Sequence, residues 1–164
     1  MQILTHRQIE QKITRLAHEV LENNYKEKEI ILAGINNNGV GFAKLLQAEL
    51  QRISNIEIKL TKISLNPANP LKTEIVFELE PKAVKNKVII VVDDVANTGR
   101  TLFYATKPLF DTLPKKIEMA VLIERHHKSF PMKVDYVGLS LATTLKENIE
   151  VQIPPKSKWS VKLN

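Results

Sequence analysis

Val88-Ile-Ile-Val-Val-Asp-Asp-Val-Ala-Asn-Thr-Gly-Arg-Thr101 is the stretch that decides the fold. Val88 to Val92 are β-branched without a polar break, the pattern of a strand buried on both faces inside a parallel sheet. The run predicts a strand that ends at Asp93 and Asp94, where it would emerge into solvent. Small and polar residues and Gly99 follow, and Leu102, Ala105, Thr106, Leu109 and Phe110 then recur at helical spacing. In open α/β sheets ligands collect at the carboxyl ends of strands. A turn that opens a helix also offers unpaired N–H groups and a positive dipole end to a phosphate. Two carboxylates beside such a turn can accept hydrogen bonds from sugar hydroxyls. A sugar phosphate therefore uses both halves of the motif, whereas a bare phosphate would face two like charges. The plainer alternative is an ordinary βα unit with a Thr-Gly turn.

Working outward, Thr5 and Gln8 form a capping-box pattern, and Ile9, Ile13, Leu16, Ala17, Val20 and Leu21 mark an amphipathic helix to about Asn23. Thr14 and His18, four apart, are neighbours on its surface. Glu29 to Ile35 reads as a core strand and Val40 to Leu50 as the helix packed on it. Between them Gly34-Ile-Asn-Asn-Asn-Gly39 reads as a loop at a strand end. Val40-Gly41 stands where a nucleoside-triphosphate loop needs Lys and Ser or Thr, and Gly39-Val-Gly41 lacks the third glycine of a dinucleotide site. Ile56, Ile58 and Leu60 alternate, Ile63 and Leu65 extend the segment, and Asn66-Pro-Ala-Asn-Pro70 stops it. Ile75, Phe77 and Leu79 then suggest a return strand, so a hairpin-like flap precedes Pro81. Ile117 to Ile123 and Val134 to Leu139 read as further strands. Glu124, Arg125, His126 and His127 lie at the carboxyl end of the first. The segment Glu150 to Leu163, with Pro154-Pro155 and Trp159, reads as an extended edge or subunit contact.

The 164 residues, 43% hydrophobic and 26% charged, suit a single domain, 1–164, with a substantial core and argue against disorder. The absence of cysteine excludes disulfide scaffolds and thiolate zinc sites. The N-terminus lacks a signal-peptide layout, and no apolar run approaches the roughly 20 residues that span a bilayer. A soluble cytoplasmic protein without membrane partners is expected. Of the net charge of +6, residues 83–164 carry +5 (13 basic, 8 acidic) and residues 1–82 carry +1 (11 basic, 10 acidic). A basic half suits phosphorylated small molecules or nucleic acid, or is simply a solvated lysine-rich surface.

Val92-Asp-Asp-Val-Ala-Asn-Thr-Gly-Arg-Thr101 resembles the phosphoribosyl pyrophosphate (PRPP) signature of the type I phosphoribosyltransferases. Leu16-Ala-His-Glu19, Ile31-Leu-Ala-Gly-Ile35, Ala120-Val-Leu-Ile-Glu-Arg-His-His127 and Asp135-Tyr-Val-Gly138 are similar to one branch. That branch comprises the pyrimidine operon attenuation regulators that double as uracil phosphoribosyltransferases. The resemblance implies an α/β fold, a central mostly parallel sheet flanked by helices with a small flap or hood. It implies Mg²⁺-dependent transfer of ribose-5-phosphate from PRPP to a nucleobase, uracil favoured, with release of pyrophosphate. Asp93 and Asp94 would be catalytic, binding the ribose hydroxyls directly or through metal-bound water, with Asp93 the metal contact. Val95, Ala96, Asn97, Thr98, Gly99, Arg100 and Thr101 would bind PRPP, and Asn36, Asn37, Asn38 and Gly39 would form the pyrophosphate loop. Arg125 would open the segment covering the base. Thr14 and His18 correspond to an RNA-contacting face, and a homodimer or homotetramer is implied. Three departures stand out: asparagines replace the cation usual in the pyrophosphate loop, the flap offers only Lys72, and Leu139 stands where many regulators are basic. The alternative reading is therefore a nucleotide-sensing regulator that binds an mRNA leader with weak or no catalysis. A nucleotide-binding homologue with neither activity is a third.

Overall fold

The computed structural model of the chain describes residues 1–144, 146–153 and 157–164. In chain order the elements are β1 (Gln2–Leu4), α1 (His6–Asn24), β2 (Glu29–Ile35), α2 (Asn36–Ile53), β3 (Glu57–Ser64), β4 (Val76–Phe77) and α3 (Pro81–Val84). β5 (Val88–Ala96), α4 (Arg100–Ala105), a 3-10 turn (Lys107–Asp111), β6 (Lys116–Arg125), β7 (Tyr136–Leu141), β8 (Ile149–Gln152) and β9 (Ser160–Leu163) complete them.

Six strands form one sheet in the order β4-β3-β2-β5-β6-β7. All its pairings are parallel except β4 on β3 at the edge. Side chains alternate across a strand, so each unbroken apolar run feeds two cores. Ile30, Leu32, Val88, Ile90, Val92 and Leu122 pack with α1 and α2. Ile31, Ala33, Ile89, Val91, Met119 and Val121 pack with Val84, Leu102, Ala105 and Leu109 on the opposite face. Helices thus cover both faces, as the resemblance implied. The capping box at Thr5 and Gln8 is present, and Ile9, Ile13, Leu16, Ala17 and Val20 are the buried stripe of α1. Among the described residues no helix is long and apolar enough to cross a membrane.

Several expected boundaries move: β7 spans Tyr136–Leu141 rather than 134–139, β6 runs on to Arg125, and three further shifts bear on the site. β5 runs on through the acidic pair to Ala96, because β6 keeps pairing with it at Asp93↔Val121, Val95↔Ile123 and Ala96↔Glu124. The expected loop 34–39 does not exist as a loop: α2 opens at Asn36, directly after β2, with Asn36 in the left-handed region (φ 52°). The glycines serve close packing there, since a Cβ on Gly34 would meet Val40 Cα at 2.5 Å and one on Gly39 would meet the Val92 carbonyl oxygen at 2.5 Å. Lastly, the helix after the signature stops at Ala105. Pro108 lacks an N–H and would crowd the carbonyl four residues back, so the chain continues as the 3-10 turn. Leu109 stays buried, but Phe110 is 72% exposed rather than part of a helical face.

The flap is shorter than the alternation of Ile75, Phe77 and Leu79 suggested: only Val76–Phe77 pairs, with Ile63 and Ser64. Above the strand ends β1, β9 and β8 make an antiparallel hood. The expected C-terminal edge is thus two strands of this hood, with Pro154-Pro155 outside the described residues. β1 is too short to register as a periodic pattern and went unanticipated. The His6 ring stacks on Trp159 with centroids 4.2 Å apart, and the Trp159 N–H donates to His6 Nδ1 at 3.2 Å, joining hood to α1.

Candidate functional site

Between β5 and α4 the chain turns through Asn97, Thr98 and Gly99. Gly99 has φ 84°, a conformation that disfavours a side chain, and a Cβ there would meet Met132 Sδ at 2.8 Å. The Arg100 N–H donates to Thr98 Oγ1 at 3.3 Å, and the N–H groups of Ser129 and Phe130 donate to the Thr98 carbonyl at 2.9 and 3.3 Å. The turn is therefore braced from outside while its inner side stays open. Val95 to Leu102, with Pro67 of the flap, line a cavity of about 290 Å³. All seven expected PRPP-binding residues, Val95 to Thr101, lie on it. The Arg100 guanidinium, however, turns to the flap and donates to the carbonyls of Pro67 (2.8 Å) and Ala68 (3.2 Å).

Beside it lies a second cavity of about 450 Å³. Its wall includes Asn36, Asn37, Asn38, Asp93, Asp94, Val95, Asn97, Thr101 and Arg125. Asp93 is only 8% exposed. Burial pushes its carboxyl well above the usual carboxylate range, and the adjacent Asp94 charge pushes it further. Burial raises Asp94 too, opposed by hydrogen bonds from Asp93 and Asn38. The two carboxyls thus titrate as interacting neighbours. Among the described residues neither forms an ion pair with a lysine, arginine or histidine. A buried acid pair without a cation is costly to ionise, which fits it to receive either sugar hydroxyls or the water shell of a divalent cation.

The three asparagines act separately. Asn36 grips the Leu65 backbone, donating from Nδ2 to its carbonyl and accepting its N–H at Oδ1, each at 3.0 Å. Asn37 Oδ1 accepts from Lys62 Nζ at 3.0 Å, and Asn38 serves Asp94. Gly39, expected in this loop, does not reach the cavity wall. It is buried one residue further into α2 against the Val92 carbonyl.

Arg125 is 7% exposed. Its Nε donates to Thr143 Oγ1 (2.7 Å), Nη1 to Asn97 Oδ1 (3.2 Å) and Nη2 to the Thr144 carbonyl (2.7 Å). It therefore binds the segment leading into β8 to the turn, as well as facing the cavity. His127 Nε2 lies 2.9 Å from the Thr143 carbonyl, while His126 is exposed. Ile35, Pro67, Asn148 and Ile149 complete the wall. Sequence reasoning missed Asn148 and Ile149, since a hood that folds back from the far end of the chain leaves no local signal, and it read Pro67 only as the end of a strand.

The expected RNA-contacting pair lies elsewhere. Thr14 is on a shallow surface between α1 and α2 with Glu10, Glu49, Arg52 and Trp159. The Glu49 carboxyl is held below the usual range by Arg52 first and by the neighbouring Thr14 and His18 in smaller part. His18 is exposed. Glu10 and Glu49 put negative charge on that face, offset in part by Arg52.

A phosphoribosyl transferase domain model matches residues 1–157. Bifunctional protein PyrR of Streptococcus agalactiae is 36% identical over 143 residues, covering 86% of this chain and 83% of the relative. Bifunctional protein PyrR of Bacillus pumilus is 34% identical over 160 residues, covering 92% and 89%. Among solved structures, a hypoxanthine-guanine phosphoribosyltransferase from Bacillus anthracis superposes with a TM-score of 0.71 at 20% identity, covering 86% of this chain and 82% of that one. A hypoxanthine phosphoribosyl transferase from Trypanosoma cruzi gives 0.74 at 17% identity, covering 87% and 78%. These last two share the fold. With the family model spanning nearly the whole length and relatives above 30% identity along it, the chain belongs to the type I phosphoribosyltransferase family and is a phosphoribosyltransferase.

Proposed function

We propose that the chain transfers the ribose-5-phosphate unit of PRPP to a nucleobase, with uracil favoured, in the presence of Mg²⁺. The observation that carries this reading is that Asp93 and Asp94 share a cavity wall with Asn97 and Thr101, the two ends of the turn whose remaining residues line the adjoining cavity. In this reading the N–H groups of the turn, with the Thr98 and Thr101 hydroxyls, hold the 5′-phosphate. Asp93 and Asp94 bind the ribose hydroxyls, and Asn36 to Asn38 face the pyrophosphate. The bond from C1 to the pyrophosphate oxygen breaks, a ring nitrogen of the base bonds to C1, and the proton on that nitrogen leaves. Positive charge develops at C1 on the way. The two carboxylates, ionised when ligand and cation are present, favour it by fixed charge rather than by covalent attack. Mg²⁺ would be held chiefly by substrate oxygens, with Asp93 in contact through water, and would neutralise charge on the departing pyrophosphate. Arg125 and the hood keep the turn in shape and limit water. Self-association is part of the proposal: Leu71, Val76 and Phe110 are exposed around a groove of about 750 Å³ beside the flap, an apolar surface that a second copy would cover.

Calorimetry with PRPP and Mg²⁺, followed by a pyrophosphate-release assay across nucleobases, tests the reading. Mg²⁺-dependent binding and release with uracil are expected. No binding of PRPP would end the proposal. Binding without release for any base would favour the second reading, a nucleotide-sensing RNA-binding regulator. That reading draws on the relatives' designation as bifunctional and on Arg52 beside Thr14 and His18. Affinity for a leader RNA that falls steeply with added salt would support it, because released counterions dominate phosphate contacts.

A further inference from the structure

We infer that Lys62 supplies the positive charge at the pyrophosphate end of the cavity, a charge that the Asn36 to Asn38 turn lacks. The inference rests on the phosphoribosyl-transfer reading. Lys62 projects from β3, whose register sets it opposite Gly34 of β2, the residue just before the strand end that leads into α2. Its Nζ lies 3.0 Å from Asn37 Oδ1, so the ammonium is one hydrogen bond from a residue of the cavity wall. It pairs with no carboxylate among the described residues.

That placement is electrostatically unusual. The first turn of the eighteen-residue α2 contains no acid, and the start of a helix is its positive end, where a cation is repelled and an anion stabilised. An ammonium held there by a neutral amide is satisfied once a multiply charged anion lies between it and the helix. Arg125 is the one cation among the described residues of the wall, and each of its three nitrogens already donates one hydrogen bond, to Thr143, Asn97 and Thr144. Asp93 and Asp94 meanwhile bring negative charge to the same cavity. Without Lys62, the diphosphate would meet those charges with only the start of α2 and any bound Mg²⁺ to offset them. A lysine on its flexible stem can leave Asn37 and engage a phosphate oxygen without any backbone movement. The cation thus comes from the neighbouring strand rather than from the turn itself.

Titrating the full chain with inorganic pyrophosphate and, separately, with UMP, both with Mg²⁺, tests this in wild type, Lys62→Gln and Lys62→Arg. Lys62→Gln should weaken pyrophosphate binding and raise KM for PRPP by about tenfold to a hundredfold, the scale of one charge-assisted hydrogen bond. UMP has no group at that end, so its affinity should be unchanged, and Lys62→Arg should restore most of the loss. Unchanged pyrophosphate binding in Lys62→Gln would overturn the inference. Equal weakening of both ligands would overturn it too, by showing a structural lesion. A wild type that binds neither PRPP nor UMP would instead remove the phosphoribosyl-transfer reading and the inference with it, a result distinct from a turning-over enzyme indifferent to Lys62.

Discussion

Two buried acidic groups sit at opposite ends of the same sheet. Glu118, near the start of β6, is 7% exposed and saturated: Oε1 accepts from Asn24 Nδ2 at 2.9 Å, Oε2 accepts from the Tyr136 hydroxyl at 2.7 Å, and Lys116 Nζ lies 3.4 Å away. Burial, with the hydrogen bond to Glu118, pushes the Tyr136 phenol well above its ordinary value, so it remains a donor. Asp93, about 10 Å further along the strand direction by the rise of three residues, is equally buried. Its partners are another acid and the Asp94 backbone N–H at 2.9 Å. Burial is common to both. What separates them is that the first pairs with donors from α1, β6 and β7, whereas the second faces a cavity with its charge unanswered. A buried acid is thus a mark of function where its partners are missing, and of architecture where they are complete.

The comparison can be broken at either end. The largest effect is expected at Asp94: Asp94→Asn should lower turnover by about a hundredfold to a thousandfold, the scale of removing one preorganised electrostatic group, with little change in Tm. Turnover near wild type would void the contrast. Glu118→Gln should do the reverse. Its amide would present a donor to Asn24 or Tyr136, costing about 2 kcal/mol and lowering Tm by roughly 4–8 °C. Turnover measured well below Tm should be retained, and a variant that melts normally but fails to turn over would mean that the amino end of the sheet also reaches the chemistry.

The smallest effect concerns Asp93 and carries a sign. Its carboxyl titrates above its unfolded value because burial and Asp94 resist ionisation. The folded state therefore holds the proton more tightly, and the stability it gains is complete below the unfolded value and lost as pH rises through the folded one. Asp93→Asn removes that loss. The unliganded variant should be more stable than wild type by about 1 kcal/mol near neutral pH, with the gap closing toward pH 3. Thermal melts across pH check this, and a gap that widens on acidification would contradict it.

The Val88 to Thr101 stretch gave away the central strand and the acidic pair because burial on both faces forbids polar alternation and the turn needs a glycine. Glu29 to Ile35 matched β2 at both ends for the same reason. Elsewhere local pattern was outweighed by tertiary pairing. Asp93 and Asp94 look like a strand terminus, yet β6 extends β5 past them. Asn36 to Asn38 look like loop residues, yet the close approach of Gly39 to β5 starts α2 there. Pro108 was the visible signal that the signature helix had to stop. Arg125 was placed near the site but its bonds to Thr143 and Thr144 depend on where the chain returns, and Lys62 gave no hint because its meaning lies in a neighbour from another element.

Arg125 touches both the turn, through Asn97, and the approach to the hood, through Thr143 and Thr144. One planar cation therefore fastens cradle to canopy, as a rivet fixes two plates. Injury to it would show as two separate faults, one in gripping the phosphate and one in sheltering the base, though a single bolt had sheared.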